Sequence, residues 1–426
     1  MPSVCCYFEV HQPNRVRNYD VFQIGQDHSY FDDALNGEIM RKVAHKCYLP
    51  ANARMLELID RHEGKFKVAY SITGVALEQM QQYAPEVIES FQKLVATGCV
   101  ELLAETYYHS LSVLFDLGEF REQVAMHGRL MKQLFDVTPT VFRNTELIYD
   151  DRIGREVHKL GYRAMLAEGA DDVLGWRSPN YVYKAPDSDL ALLLKNYRLS
   201  DDIAFRFSNR GWADYPLTAD KFAGWLHGLA DKADTVNLFM DYETFGEHQW
   251  EETGIFQFLA HVPSAVLEQP AWSFKTPSET LDSYEPVGAL SFPRTVSWAD
   301  AERDLTAWQG NEMQNRALDR ISALGERIKR RNNPALLTLW RKLSTSDHFY
   351  YMCTKWFSDG DVHAYFSPYE SPYEAFINYM NAVTDLEESV MKPTRALRLD
   401  PPARAAALPA ATAQLSKATA SSSAAR

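Results

Sequence analysis

The sequence predicts an α/β protein, a (β/α)7 barrel (an incomplete TIM-like barrel) followed by a helical bundle. Strand-like apolar runs alternate with helical runs up to about residue 269, which is typical of a parallel sheet with helices packed outside it. Polar residues stand where the strand-like runs stop, and barrel active sites lie at that end of the strands. From residue 298 onward the pattern is helical, so a second, helical unit is expected there.

Seven strand–helix units can be followed along the chain. The strands, each with the polar residue that ends it, are predicted over 4–10 (His11), 66–72 (Thr73), 100–104 (Glu105), 140–142 (Arg143 to Glu146), 164–167 (Glu168), a weak run ending near Asp201 and Asp202, and 236–240 (Asp241). The helices are predicted over 39–47, 50–62, 85–98, 119–135, 152–160, 189–194 and 221–231. Proline at helix starts and glycine after helix ends support several of these boundaries.

A doubly wound open sheet would produce the same alternation of strands and helices. Such a sheet usually carries a glycine-rich phosphate turn after its first strand. This chain has His11-Gln12-Pro13 at that point instead. The sequence therefore favours the barrel.

The barrel is assigned to residues 1–269, and the amino-acid composition changes after it. Residues 270–297 are rich in Pro, Ser and Thr and are expected to form a connecting loop. Residues 298–399 form the predicted bundle, which contributes to the cleft, with helices over 312–329, 334–343 and 370–388 and a turn-rich interval at 358–361. Residues 400–426, rich in Ala, Pro and Ser, are predicted to be a disordered tail.

The net charge and the aromatic content indicate which classes of molecule the protein can bind. The 426 residues include 44 Lys+Arg against 57 Asp+Glu, a net charge of −13, which disfavours nucleic acid and anionic membranes as partners. The 22 Tyr and 9 Trp offer the stacking and hydrogen-bonding surfaces that sugars require. Five cysteines form no C-x-x-C pair, and the N-terminus has no signal-peptide pattern, so a cytoplasmic protein is expected.

Two strand-end carboxylates, Glu146 and Asp241, are the strongest candidates for catalysis. A pair of carboxylates from different strands is the minimum equipment for cutting a glycosidic bond. Arg143 and Asn144 are expected to keep Glu146 ionised, as a nucleophile requires. The apolar residues before Asp241 are expected to raise its pKa, as a general acid requires. The sequence thus predicts that the two environments push the two pKa values apart.

Other interpretations of these residues were weighed. A single Glu or Asp at a strand end is more often a loop residue or a helix cap than a catalyst. Glu243, Glu247 and His248 could bind a metal, but their spacing matches neither H-E-x-x-H nor H-x-x-E-H. We therefore expect no metal and no cofactor. The tetrad from Ser346 to Phe349 has the composition of a helix N-cap.

Five segments together resemble the ordered sequence regions of glycoside hydrolase family 57. They are His11-Gln12-Pro13, ELLAETYYHS from Glu101, RNTELIY from Arg143, FMDYETFGEHQW from Phe239 and SDHFYYM from Ser346. The resemblance covers residues 5 to about 390 and is nearest to the α-amylase-like branch. It implies a (β/α)7 barrel with a helical bundle that acts on α-glucans with retention of configuration and without a metal.

The resemblance also implies roles for single residues. Glu146 corresponds to the nucleophile, Asp241 to the general acid/base, and His11 to the histidine that contacts the sugar at the cleavage subsite. Trp308 lies in a family-like stretch and is expected to be a stacking platform. The remaining candidates for substrate binding are Gln12, Glu105, His109, Arg143, Glu243, His248, Asp347 and His348.

The expected substrates are starch, glycogen and maltooligosaccharides, and three rival functions remain open. A 4-α-glucanotransferase would use the same carboxylates with a sugar as acceptor. A non-catalytic glucan-binding protein could keep the same scaffold. A metal-dependent deacetylase on a similar barrel is the third. The oligomeric state and the chain-length preference are not predicted.

Overall fold

The computed structural model describes residues 1–355 and 367–391. The strands are β1 Ser3–Val10, β2 Val68–Ile72, β3 Val100–Leu102, β4 Val141–Arg143, β5 Ala164–Glu168, β6 Tyr183–Lys184, β7 Ala191–Lys195, β8 Thr235–Asp241 and β9 Ser273–Phe274. The helices before the helical region are α1 Asp33–Val43, α2 Leu49–Arg61, α3 Gly74–Tyr83, α4 Pro85–Ala96, α5 Ser112–Phe115, α6 Leu117–Phe135, α7 Asp151–Lys159, α8 Asp171–Leu174, α9 Tyr197–Ala204, α10 Ala219–His227, α11 Ile255–Leu267 and α12 Pro277–Ser283. The helical region contains α13 Thr306–Gln309, α14 Glu312–Arg331, α15 Pro334–Leu343, α16 Ser346–Tyr350 and α17 Pro372–Met391.

Seven parallel strands form the barrel in the order β1-β2-β3-β4-β5-β7-β8. Parallel pairing joins β3 to β2, β2 to β1 and β1 to β8, and also β4 to β5 and β5 to β7. Between β3 and β4, the Arg143 N–H donates to the Ala104 carbonyl at 2.8 Å. Between β7 and β8, the Asn196 N–H donates to the Asn237 carbonyl at 2.9 Å. The predicted (β/α)7 barrel with a helical C-terminal region is confirmed.

One strand–helix unit differs from the prediction. Residues 189–194 were expected to be helical, but β7 occupies Ala191–Lys195, and Asp201 and Asp202 lie in α9. Every residue of β7 is buried, and a short, continuous apolar run has no period that separates a strand from a helix. The side chain of Asn196 then caps α9 by accepting from the Leu199 N–H at 3.2 Å.

The segment expected to be a connecting loop, 270–297, carries secondary structure. β9 pairs in parallel with the start of β1, and α12 begins with a capping box formed by Thr276 and Glu279. The turn-rich interval expected at 358–361 and the tail expected at 400–426 lie outside the described residues.

The barrel interior changes from apolar to polar along every strand. Side chains two residues apart on a strand point the same way. A buried apolar cluster includes one such residue from each barrel strand or its end, namely Tyr7, Ala69, Leu103, Val141, Leu166, Leu193 and Phe239. The positions two residues further on are Glu9, Ser71, Glu105, Arg143, Glu168, Lys195 and Asp241. Apolar packing thus closes the lower barrel, and the layer above it is polar.

The helical region is attached to the barrel beside this polar layer. On its outer side, the buried Arg341 of α15 pairs with Glu119 of α6, with Nε 2.6 Å from Oε1. At the barrel mouth, the Ser346 N–H donates to the His109 carbonyl at 2.9 Å. This second contact places the start of α16 over the strand ends. Within the described ranges, no helix combines the length and the apolar character needed to cross a membrane.

Candidate active site

A cavity of about 450 Å³ lies at the carboxyl ends of the barrel strands, next to α16. Its walls come from the ends of β1, β7 and β8, from the turn after β4, and from the segment 298–303. The sequence-predicted residues that line it are His11, Gln12, His109, Glu146, Asp241, Glu243, His248 and Asp347. Both candidate catalytic carboxylates therefore face one space.

Glu146 occupies a left-handed turn directly after β4. Its φ and ψ are 58° and 25°, and the next residue, Leu147, also has a positive φ of 51°. A non-glycine residue in this region costs on the order of 1–2 kcal/mol. The Asn144 side chain spans the turn by donating to the Ile148 carbonyl at 2.9 Å. Backbone strain that neighbouring hydrogen bonds hold in place is common at functional sites.

Two side chains, Trp298 and His109, contact the Glu146 carboxylate. The indole Nε1–H of Trp298 donates to Oε2 at 2.8 Å, and Nε2 of His109 lies 3.1 Å from Oε1. The Trp298 ring is itself placed by two cations, Arg143 at 4.9 Å and Lys195 at 5.2 Å from the ring centroid. The backbone carbonyl of Glu146 also accepts from the Trp298 N–H at 3.1 Å. The orientation of Glu146 therefore depends on Trp298.

Burial and neighbouring charges act on the two carboxyl groups. Burial raises the pKa of Glu146, and the Arg143 charge and the Trp298 hydrogen bond oppose that rise. Burial also raises the pKa of Asp241, His248 opposes the rise, and the nearby Glu146 adds to it. Burial is the largest influence at both groups, so both pKa values are raised, and the expected separation between the two values stays a prediction. The two groups differ in their donors, since Glu146 accepts bonds that favour its ionised form.

His11 joins the barrel to the helical region. Its Nδ1 lies 2.9 Å from Thr73 Oγ1, its Nε2 lies 2.9 Å from Asp347 Oδ2, and its ring stacks on His109 at 4.0 Å. Although burial opposes ionisation of Asp347, the His11 imidazole holds the pKa of that carboxyl well below its usual range. His11 and Asp347 thus form a fixed polar pair in the cavity wall.

A buried polar layer supports His109 from below. Its Nδ1 lies 3.3 Å from Glu9 Oε1 and 3.5 Å from Glu105 Oε2. Arg143, which is fully buried, forms an ion pair with Glu9. Burial lowers the pKa of His109 to about 3, so the ring is neutral at physiological pH. Glu105 and Arg143 therefore act beneath the cavity and do not line it.

Two groups of possible metal ligands lie here among the described residues. Each places three ligand atoms within 4.8 Å of one another, and both include His109, one with His11 and Asp347 and the other with Glu9 and Glu105. In the first group both nitrogens of His11 already have partners, Thr73 and Asp347. A cation there would have to displace one of these hydrogen bonds.

Glu243 forms a second buried acidic position in the wall. It accepts a hydrogen bond from the Tyr48 hydroxyl and one from Gln12 Nε2 at 3.3 Å. Burial, with a contribution from Asp241, raises the pKa of Glu243 to about 7. Gln12 is oriented in turn by Arg15, whose Nη2 donates to Oε1 at 3.1 Å.

Two further predicted site residues, Trp308 and His348, do not reach the cavity. The Trp308 side chain is fully buried and packs near Tyr350, so it presents no face to a substrate, and its assignment as a stacking platform is corrected. His348 is also buried, with Nε2 3.1 Å from the Lys342 carbonyl. Its neighbour Asp347 faces the cavity, and successive residues of a helix point about 100° apart, so His348 is turned into the helical region.

Sequence reasoning missed a charged cluster in the opposite wall. Lys195 Nζ lies 3.2 Å from Asp201 Oδ1, and Arg303 Nη2 lies 3.4 Å from Asp201 Oδ2. Glu168 lies below both cations, 3.9 Å from Lys195 and 3.5 Å from Arg303. Lys195 could have been found as the polar residue that ends the apolar run 191–194. Arg303 and Trp298 lie in irregular chain, so no strand end marks them, although the stretch from Trp298 to Gln314 is family-like.

The chain matches the family described as glycosyl hydrolase family 57 over residues 5–293. It is 46% identical over 393 residues to a protein of Methanocaldococcus jannaschii called "Putative alpha-amylase", covering 89% of this chain and 83% of that protein. A family 57 branching enzyme from Thermococcus kodakaraensis superposes with a TM-score of 0.66 at 14% identity, over 91% of this chain and 90% of that chain. The 4-alpha-glucanotransferase from Thermococcus litoralis superposes with a TM-score of 0.63 at 14% identity, over 82% of this chain and 56% of that chain. At this identity the two structures establish the fold alone.

Proposed function

Because this chain belongs to glycosyl hydrolase family 57, we propose that it is a retaining α-glucan hydrolase of the α-amylase type, with Glu146 as nucleophile and Asp241 as general acid/base. Its substrates would be starch, glycogen and maltooligosaccharides. The observation that carries the proposal is that both carboxyl groups line one cavity and that the Trp298 indole donates a hydrogen bond to Glu146.

The proposed reaction is a double displacement. Asp241 in its protonated form gives its proton to the glycosidic oxygen while the Glu146 carboxylate attacks the anomeric carbon. The bond to the leaving sugar breaks and an ester to Glu146 forms. Ionised Asp241 then takes a proton from water, whose oxygen attacks the anomeric carbon and releases Glu146.

The surrounding residues suit these two roles. The Trp298 hydrogen bond and the Arg143 charge favour the ionised form of Glu146, which the attack requires. Burial favours the neutral form of Asp241, which the protonation requires. His11 and Asp347 would bind hydroxyl groups of the sugar at the cleavage point, since both line the cavity close to His109.

Replacement of Glu146 by Gln tests the nucleophile. The amide can still accept from Trp298 but cannot form a glycosyl ester, so kcat on maltooligosaccharides should fall by on the order of 1000-fold or more. Binding of maltohexaose by calorimetry should change little. Glu101→Gln is a matched control, because Glu101 lies outside the cavity and bonds to Ser278. Near-normal turnover in Glu146→Gln would remove Glu146 from its role.

Product stereochemistry tests retention independently. Proton NMR of fresh hydrolysis products should show the α-anomer first, because two displacements restore the starting configuration. The spectrum should be recorded before mutarotation equilibrates the anomers. Initial release of the β-anomer would contradict the double displacement, whatever the activity of the carboxylate variants.

A further inference from the structure

Phe205 is an exposed aromatic side chain in the wall of the catalytic cavity. It lines the cavity, yet 57% of the residue is exposed. A phenylalanine ring left open to solvent forgoes the stabilisation that its burial would bring to the fold. Exposed apolar surface inside a concave site marks where a ligand lies.

The helix before Phe205 is bonded to the chain on both sides of Asp241, and both residues line the cavity. Phe205 follows α9 directly, and the last carbonyl of that helix, on Ala204, accepts from Gln249 Nε2 at 2.8 Å. The side chain of Ser200 in the same helix accepts from the Phe239 N–H at 3.2 Å. The first contact reaches the loop after Asp241, and the second reaches the strand before it. Phe205 therefore shares its support with the general acid.

The position has a chemical consequence. A general acid gives its proton to the oxygen of the leaving sugar, so groups beside it contact that sugar and not the one bonded to the nucleophile. The C–H faces of a glucose ring pack on an aromatic ring, which offers a flat apolar surface. An aromatic ring that follows a helix bonded to the chain around Asp241 is a candidate to bind the part of the glucan that leaves and any chain that later replaces it.

We propose that Phe205 is the stacking platform of an acceptor subsite for α-glucan chains, and that it lets a sugar hydroxyl compete with water for the glycosyl-enzyme. This inference rests on the proposed function. In the transfer step the acceptor hydroxyl oxygen attacks the anomeric carbon, the ester bond to Glu146 breaks, and the hydroxyl proton passes to ionised Asp241. Atoms and charge balance without any further reactant.

The test compares Phe205→Ala and Phe205→Tyr with the wild-type protein on maltopentaose, with added maltose as acceptor. The ratio of longer products to new reducing ends should fall about 3- to 10-fold in Phe205→Ala, the range expected for losing one aromatic contact. The maltose concentration that gives half-maximal transfer should rise by a similar factor. Phe205→Tyr, which keeps the ring, should behave like the wild type.

Trp176→Ala is the matched control, since Trp176 is 90% exposed but does not line the cavity. It should change neither the product ratio nor the maltose dependence. If Phe205→Ala also leaves both unchanged, the acceptor role is wrong. An equal loss in kcat for hydrolysis and transfer would also overturn it, because an acceptor platform must affect transfer more.

A second measurement keeps this inference separate from the proposed function. If the wild-type protein acts on no α-glucan, the proposed function fails, and maltohexaose binding is then measured for Glu146→Gln with and without Phe205→Ala. The platform predicts a Kd several-fold higher in the double variant. The same Kd in both proteins would rule out a sugar contact at Phe205.

Discussion

The charge state of Glu146 depends on a side chain far along the chain. Trp298 lies 152 residues later, donates to the carboxylate at 2.8 Å, and is flanked by the side chains of Arg143 and Lys195. Burial alone would favour the neutral acid, which cannot act as a nucleophile. The indole therefore offsets part of the electrostatic cost of keeping an ionised group in a buried site.

Replacing Trp298 by Phe should move the pH profile of the enzyme. The ring can stay between the two cations, but the donor is lost, so the pKa of Glu146 should rise further. Activity requires ionised Glu146, and the acidic limb of kcat/KM should therefore shift to higher pH, by about one unit for a charged hydrogen bond. The measurement is kcat/KM on a maltooligosaccharide from pH 4 to 9.

Trp308→Phe provides the comparison, since that indole is fully buried outside the cavity. Its acidic limb should stay where the wild type has it. An unmoved limb in Trp298→Phe would show that the indole does not set the ionisation of Glu146.

At the residue scale, the sequence predicted the carboxylates better than their partners. Glu146 and Asp241 stand at the ends of apolar runs, and that local pattern predicts their position in any parallel barrel. The contacts of Trp298 depend on a left-handed turn and on irregular chain after the barrel, neither of which has a periodic signal. Trp308 was expected to stack on a sugar because it lies in a family-like stretch, but its side chain is fully buried in the helical region.

At the element scale, the loop that follows Asp241 is held by a close backbone approach at Gly246. Its φ is 112°, and a Cβ there would lie 1.9 Å from the Lys46 carbonyl oxygen. The Gly246 N–H also donates to the Gln249 carbonyl at 2.9 Å. The glycine thus lets the loop pack against the chain between α1 and α2.

Gly246→Ala should destabilise the protein by several kcal/mol, because backbone atoms must move as well as adopt an unfavourable φ. Gly254→Ala separates the two effects, since Gly254 has a φ of 87° but nothing within 4 Å of the added carbon. That variant should lose only about 1–2 kcal/mol. Urea unfolding measures both free energies, and equal losses would show that the close approach to Lys46 carries no cost.

The strand–helix unit that contains β7 was predicted wrongly for a reason that lies in its sequence. The run from Ala191 to Leu194 is apolar throughout, and only its place between β5 and β8 makes it a strand. Once that strand is known, alternation places Lys195 in the polar layer with Glu168 and Asp241. The missed residue was therefore a consequence of the missed strand.

At the scale of the whole molecule, buried histidines should make stability depend on pH. Burial lowers the pKa of His109 to about 3 and those of His127 and His348 to about 4. In the unfolded chain each binds a proton below about pH 6.5. Unfolding should therefore become easier as pH falls from about 6.5 to about 4, by up to about 1.4 kcal/mol per pH unit for each histidine.

His127→Gln isolates one of these protons, because His127 lies outside the cavity and bonds to the Ile72 carbonyl, which a glutamine amide can also reach. Urea unfolding between pH 4 and 7 should show a slope smaller by about one proton than that of the wild type. Parallel curves for the two proteins would contradict a buried neutral His127.

The barrel could be predicted from the sequence because the alternation of strand and helix recurs along the chain. Seven alternations each point to a parallel strand, so one error, at β7, left the architecture unchanged. The attachment of the helical region was not predictable in the same way, since it depends on single contacts such as that between Ser346 and the His109 carbonyl. Contacts of this kind join residues that no local pattern relates.

The hydrogen bond from Trp298 to Glu146 also limits where two related proteins can be joined to make a chimera. The part of this chain that matches the family ends at residue 293, five positions before Trp298, whose indole donates to Glu146. A chimera joined at that point would inherit both carboxylates and Arg143 from one parent and the Trp298 indole from the other. A chimera should therefore take the barrel and residues 298–303 from the same parent, because both segments supply contacts to Glu146.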